Sequence, residues 1–350
     1  MRRMFVMLLA IAAVSLPVRF VPRGFADPPL VSAEEQNGVQ ATVWVANRDA
    51  DNVTVFDAAT GAVVRTLNSG RGAHDIAISD LAEKAYVTNE LEATVSVVST
   101  TTLQVLRRLT MPRPHHAKVS PDGRRIYVGL FDNNLIAVID TATDAVYITP
   151  SSLNPNVKAH APRASQSGRL IFVPHEVGDE VTALDASNGQ LLGSVNIGSM
   201  PTEVLPAADG RRLFVAMRGE GRVKVIDLST IQVTGSVDVG TQPEAMMLAN
   251  DQQTLITSLR GSPAMLAFVD ASRLTLLGRA PLAGAGTFGD LAVLSPNGRF
   301  VYATWDAGAT GTGGITVIDV QTGQRAGGWA YPGVGRPHGI AYSSSTVTVP

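Results

Sequence analysis

Cysteine is absent from this chain of 350 residues. That absence excludes disulfides, thiolate metal sites, iron–sulfur clusters, covalently attached c-type haem and cysteine nucleophiles together. Any metal must be held by His, Asp, Glu, Met or backbone. Histidine is itself scarce, with six residues, and aromatic residues make up only 5% of the chain. No G-x-S-x-G, H-E-x-x-H, P-loop or post-strand GxGxxG motif is found, and no stretch carries a helical period. Charged residues are few, at 17%, against 45% apolar. Such a chain buries a large core and is not a disordered segment.

The amino-terminal residues do not read as part of the fold. Arg2 and Arg3 precede an apolar run, Phe5–Leu16, and Gly24-Phe25-Ala26 supplies a small–x–small cleavage site. Residues 1–26 are therefore expected to be a signal peptide, followed by an extension over 27–40. The run is short for a membrane span, although the long segment Pro17–Arg23 also suits an uncleaved anchor. Either way the protein is expected to be secreted or periplasmic. Loss of Arg2, Arg3, Arg19 and Arg23 would take the formal charge from −2 to −6, which argues against nucleic acid as a partner.

The rest of the chain repeats. VTVFD, IAVID, VTALD, VKVID, LAFVD and ITVID end at Asp57, Asp140, Asp185, Asp227, Asp270 and Asp319, and TVSVVS ends at Ser99. These positions lie 42, 41, 45, 42, 43 and 49 residues apart. Each run meets a turn such as Ala59-Thr60-Gly61 or Ser187-Asn188-Gly189, so the aspartate is expected to cap a hairpin turn and to be structural. A second column of strands, among them Ala85–Asn89, Ile126–Leu130, Ile171–His175 and Val301–Trp305, precedes it by about ten residues. Four short strands per repeat describe a β-propeller blade. The chain begins at Val43 with a second strand and finishes at His338–Ser343 with a first one. A carboxy-terminal strand completing the amino-terminal blade removes the open edge. The expected fold is all-β, a seven-bladed propeller of four-stranded antiparallel blades, spanning 41–350.

Tyr86-Val87-Thr88-Asn89, followed by Thr94-Val95-Ser96-Val97-Val98, resembles the motif of the YVTN-type seven-bladed propellers. The resemblance covers essentially the whole mature chain. It implies the fold, but not an activity, because that family includes surface proteins, haem-associated domains and exported proteins of other kinds.

Chemistry is expected where the blades converge. The residues leading into the innermost strands read His74, His115, His160, Thr202, Glu244, Asp290 and His338 around the ring, 41, 45, 42, 42, 46 and 48 apart. Four imidazoles and two carboxylates in one register suit Zn²⁺, Cu²⁺, Fe²⁺ or Mn²⁺ better than Ca²⁺. His74, His115, His160, His338, Glu244 and Asp290 are the expected metal ligands, with copper favoured over zinc or iron. The arrangement resembles the hub copper sites of nitrous oxide reductase, which use more histidines than this chain has. It also resembles the haem domain of cytochrome nitrite reductases, whose covalent haem domain is missing here; that likeness keeps non-covalent haem open.

The second-strand ends open onto the same face with Arg48, Glu90, Asp132, His175, Glu176, Arg218, Arg260, Trp305 and Asp306. His175 and Glu176 are the expected proton-transfer residues. Arg218 and Arg260 could hold an anionic group, and with Trp305 they form the expected cofactor-binding set. His116 follows His115 in its strand and is expected to point away as an outer residue. Met111 and Met200 read as loop packing. Three functions fit: a redox metalloenzyme acting on a small molecule at the channel mouth, a non-catalytic propeller binding a protein, metal or haem, and a metal-dependent lyase or lactonase.

Overall fold

The computed structural model describes residues 39–348, apart from 285, 309–311 and 333–334. The chain separates into two units, and the described residues all fall in the second, Ala33–Pro350. The expected signal peptide and nearly all of the 27–40 extension lie outside the described residues. Among the described residues no helix is long and apolar enough to cross a membrane.

The strands form seven antiparallel sheets arranged as the blades of a propeller. Blade 1 joins the two ends of the chain: Pro337–Ser343 is its innermost strand and pairs with Thr42–Asn47, followed by Asn52–Asp57 and Val63–Leu67. Blades 2 to 7 begin with Ala73–Ser79, Pro114–Val119, the split strand Lys158–Ala159 and Arg163–Ala164, Pro201–Pro206, Pro243–Leu248 and Phe288–Leu294. Closure extends beyond the blade, since Val347 N–H donates to Val39 O at 2.8 Å and Thr348 N–H to Thr101 O at 3.1 Å.

The apolar core lies between the blades. Trp44, Val53, Ile76 and Val87 pack across blades 1 and 2, and Tyr86, Val97, Ile126 and Val128 across blades 2 and 3. A middle strand buried on both faces needs no polar alternation, which is why Thr42–Asn47 and Thr94–Ser99 are buried throughout. The fourth strands keep an outer face to water, as in Val105–Thr110.

The aspartate column does cap the hairpin turns. Asp57 Oδ1 accepts the amides of Ala59 and Thr60 at 2.8 Å each, and Asp227 Oδ1 those of Ser229 and Thr230 at 2.8 and 3.1 Å. Ser99 Oγ does the same for Thr101 and Thr102.

The Tyr86-Val87-Thr88-Asn89 segment joins its blade to the next one. Tyr86 Oη donates to Asp144 Oδ1 in blade 3 at 2.8 Å, and Val87 fills the core. Thr88 Oγ1 accepts Asp75 N–H at 2.9 Å and lies 2.6 Å from His115 O in blade 3, to which it donates. Asn89 Nδ2 donates within its own blade to Thr94 Oγ1 and Ser96 Oγ.

A β-bulge recurs where the innermost strands begin. In blade 2 Ala73 pairs with Asn89 but Ile76 with Val87; in blade 3 Pro114 pairs with Leu130 but Ala117 with Val128. The same slip occurs at Pro201/Glu203, Pro243/Met246, Gly289/Ala292 and, against Val45/Asn47, at Pro337/Ile340. A bulge suspends the alternation of side chains, so two consecutive residues can face the same side.

Candidate functional site

That bulge assembles the site. His115 and His116 are consecutive, yet both rings enter one cluster with centroids 4.5 Å apart. His116 also lies 4.9 Å from His74 and 4.4 Å from His160, while His74 stands 4.0 Å from His115 and 3.9 Å from His338. Five histidines from four successive blades thus meet, all buried. His116, expected to point away, is central; the strand alternation on which that expectation rested is broken between Pro114 and Ala117.

The acids close the far side. Glu244 Oε1 lies 3.8 Å from His160 Nε2 and 3.9 Å from His116 Nε2, and Asp290 Oδ2 is 3.3 Å from His338 Nε2. Asp75, the residue after His74, places Oδ2 3.0 Å from His116 Nδ1 and accepts Ala117 N–H at 3.2 Å. His160 Nδ1 lies 2.6 Å from Thr202 O. A carbonyl only accepts, so Nδ1 of His160 carries the proton and Nε2 presents its lone pair. Sequence reasoning missed Asp75, whose place next to a bulge is not visible in strand periodicity.

Close backbone approach holds these strands. A Cβ on Gly129 would sit 2.1 Å from His160 O, and one on Gly339 2.5 Å from Asp75 Cα, so neither position has room for a side chain.

A charged layer surrounds the cluster. Arg48 and Arg113 both contact Glu90 at 2.9 Å, and Arg113 also pairs with Asp132. Arg218 bonds Glu176 Oε1 at 2.6 Å and Glu244 Oε2 through its Nε at 2.9 Å. Its guanidinium is therefore engaged by two carboxylates. Glu176, expected in proton transfer, does reach the cluster, with Oε2 3.4 Å from His160 Nε2. Arg260 Nε stands 3.5 Å from Asp290 Oδ1.

Two other expected residues lie elsewhere. His175 Nε2 is 3.0 Å from Thr182 Oγ1, seven residues on, just as Asn47 bonds Thr54 and Asn89 bonds Ser96. It occupies the asparagine position of its blade, so its Nε2 is engaged within the sheet, and its ring contacts none of the five clustered imidazoles among the described residues. Trp305 is partly buried and packs against the core cluster of blades 6 and 7 that contains Met247, Ala264 and Ala303, and Gly314 on the paired strand leaves room for its ring. Its Nε1 is without a hydrogen-bond partner among the described residues.

Burial holds all five clustered imidazoles far below their ordinary protonation range, and neighbouring imidazoles and guanidiniums add to the effect. They are neutral bases and donors of lone pairs. Burial raises Asp75 and Asp290 to about 6, against the opposing pull of Lys118 and Arg260. Burial likewise raises Glu176, opposed by Arg218.

A cavity of about 660 Å³ opens at this mouth, walled by Arg260, Asp290, Asp306, Phe288, Gln242 and Arg336. Arg336 makes no side-chain hydrogen bond or ion pair among the described residues. It was not foreseen, yet the triplet Arg336-Pro337-His338 repeats Arg113-Pro114-His115 and signals a guanidinium beside each of these ring positions. A second cleft of about 400 Å³ lies between blades 4 and 5, lined by Leu170, Phe172, Val181 and Leu213 among others. It holds no titratable group and no part of the cluster.

Fold and site together define a seven-bladed β-propeller with an imidazole- and carboxylate-rich channel mouth. Residues 35–196, under half of the chain, match the family model "Lactonase, 7-bladed beta-propeller". No curated protein matches the sequence. Among solved structures the fold is similar to the periplasmic gluconolactonase PpgL of Pseudomonas aeruginosa, with TM-score 0.67 and 20% identity over 87% of this chain and 99% of that one. It is similar to dihydro-heme d1 dehydrogenase NirN in complex with DHE, with TM-score 0.61 and 17% identity over 90% of this chain and 66% of that one. It is also similar to Kuenenia stuttgartiensis hydrazine synthase, with TM-score 0.54 and 20% identity over 63% of this chain and 65% of that one. The chain thus spans just under two thirds of the last two proteins.

Proposed function

We propose that the protein is a lactone-opening hydrolase working in the channel-mouth cavity. The observation that carries this reading is Asp290. It is a buried carboxyl lining the cavity, its Oδ1 has no hydrogen-bond partner, and two guanidiniums, Arg260 and Arg336, line the same cavity. The match of residues 35–196 to the lactonase model and the fold likeness to a gluconolactonase support it.

The chemistry follows from these groups. A carboxylate titrating near 6 is ionised at neutral pH and still basic enough to take a proton from an attacking water. As the water oxygen adds to the lactone carbonyl, negative charge grows on the carbonyl oxygen, where Arg260 and Arg336 offer donors. The ring C–O bond then breaks and the leaving ring oxygen takes the proton back from Asp290. One water is consumed, and the product is the open hydroxy acid, whose carboxylate the same guanidiniums attract. The test is a screen of sugar-type and aliphatic lactones by pH-stat with the wild-type chain and Asp290→Asn. Turnover lost in the variant supports the reading, and equal turnover in both removes it.

A redox centre is a second reading, and the cluster of five neutral imidazoles is the observation that favours it. Protein carrying copper or haem whose absorption changes reversibly on reduction would support it. Colourless protein that opens lactones would remove it.

A further inference from the structure

We propose that His116, His160 and Glu244 bind one divalent transition-metal ion, with Asp75 holding His116 in register. This goes beyond the lactone reading and stands apart from it, because ion binding is measured without any substrate.

The donor atoms converge. One ligand atom from each of Glu244, His116 and His160 lies within 4.8 Å of the other two, Glu244 Oε1 faces Nε2 of both imidazoles, and all three residues are buried. An ion with bonds of about 2.0–2.1 Å brings tetrahedral ligand atoms to about 3.3 Å apart. The observed separations of 3.8 and 3.9 Å from Glu244 need a contraction of about half an ångström.

The tautomers decide between this trio and its rival. His74, His115 and His116 also offer three nitrogens within the same span. Yet Nδ1 of His74 and of His115 has no hydrogen-bond partner, so nothing sets which ring nitrogen is free. In His160 the Nδ1–H donates to the carbonyl of Thr202, and in His116 the Nδ1–H donates to the carboxylate of Asp75. Each Nε2 is thereby left as a lone pair, and that of His116 is buried without a partner. A carboxylate behind a ligating imidazole raises its basicity and fixes its plane. Glu244 is prepared in the same way, since Arg218 engages Oε2 and leaves Oε1 toward the imidazoles.

Charge allows the ion. Glu244, Glu176 and Asp75 stand against the guanidinium of Arg218 and the ammonium of Lys118, 3.8 Å from Asp75 Oδ2, so the acids still outnumber the cations around the trio. Two imidazoles and one carboxylate suit Zn²⁺, Co²⁺ or Fe²⁺. Glu176 Oε2, 3.4 Å from His160 Nε2, borders the fourth position.

The test uses the full-length chain, freed of metal by chelation and carrying no polyhistidine tag. It is titrated with Zn²⁺ against a chromophoric chelator, and with Co²⁺ followed by its visible ligand-field bands. One equivalent is expected, with tetrahedral or five-coordinate Co²⁺ absorption. Glu244→Gln should weaken Zn²⁺ by about 100-fold and Asp75→Asn by about 10–100-fold, the latter shifting the Co²⁺ bands while keeping the stoichiometry. His74→Ala should leave the affinity within about threefold. Glu244→Gln preserves shape, and its circular dichroism and unfolding midpoint check that it is folded. No uptake of either ion by the folded wild-type chain overturns the proposal. So does loss of the ion in His74→Ala with retention in Glu244→Gln.

Discussion

Nδ1 of His116 lies 3.0 Å from Oδ2 of Asp75, across the boundary between blades 2 and 3. Both residues stand next to a bulge, and both are about 1% exposed. The same carboxylate accepts the amide of Ala117, so it ties one blade to the backbone and ring of the next. A pair so deeply buried orients the imidazole at the centre of the cluster and holds two blades in register.

The first prediction follows from that double duty. Asp75→Ala takes the acceptor from the imidazole N–H of His116 and from the backbone N–H groups of Ile76 and Ala117, and each such orphan costs about 1–3 kcal/mol. Urea unfolding should show a loss of at least about 3 kcal/mol for the three donors. Asp75→Asn keeps an acceptor oxygen and should lose less than half as much. Equal losses in the two variants would mean that charge, not hydrogen bonding, carries the contact.

Asp290 supplies a prediction on rate. If its carboxylate is the base, activity rises as the pH passes upward through about 6, where the group deprotonates. Asp290→Asn should lower kcat by about 10²–10⁴-fold with little change in KM, and the limb near 6 should vanish from the profile. A profile unchanged in Asp290→Asn would assign the base elsewhere in the cluster.

His175 gives a prediction on acid stability. Burial lowers it to about 4, below the ordinary value near 6.5. A depressed folded value means that the favourable neutral state is fully present above 6.5 and is lost as pH falls toward 4, because only the unfolded chain takes up the proton. At pH 5 this amounts to about 2 kcal/mol at 1.36 kcal/mol per unit. His175→Asn installs the residue found at Asn47 and Asn89 and should lessen the fall in stability between pH 7 and 5 by about that amount, the five clustered histidines keeping their own share. Urea midpoints at the two pH values measure it; an identical slope in both proteins would be the contrary result.

Most of the architecture was readable because its signals are local. The turn aspartates recur in one register with their Thr-Gly and Asn-Gly partners, and the strand ending at Ser343 needed a neighbour that only the amino-terminal strands could supply. His74, His115, His160 and His338 could be aligned because proline or strand residues flank each of them. What escaped the sequence depends on geometry that strand periodicity cannot express. The bulge turned His116 inward and recruited Asp75. His175 looked like a mouth residue because it ends a second strand, although Asn47 and Asn89 at the same position already pointed to a bond within the sheet. Trp305 ended its strand toward the same face, but its ring lies over Gly314 and against the core of blades 6 and 7.

Thr88 offers the most specific link between the repeat motif and the site. Its hydroxyl accepts the Asp75 amide freed by the bulge and donates to the carbonyl of His115 in the next blade. Thr88→Val preserves shape and β-branching but strands both buried backbone groups, at about 1–3 kcal/mol each. The expected loss is therefore about 2–6 kcal/mol in urea unfolding, with Thr88→Ser recovering most of it. Thr304 makes the equivalent bonds to Leu291 N–H and His338 O on the other side of the cluster. Thr304→Val should then cost a similar amount, and the double variant should be close to additive, because the two hydroxyls share no partner. Strong non-additivity would show that the histidine cluster couples the blades as a unit, and a negligible loss in Thr88→Val would mean that water replaces the hydroxyl at the bulge.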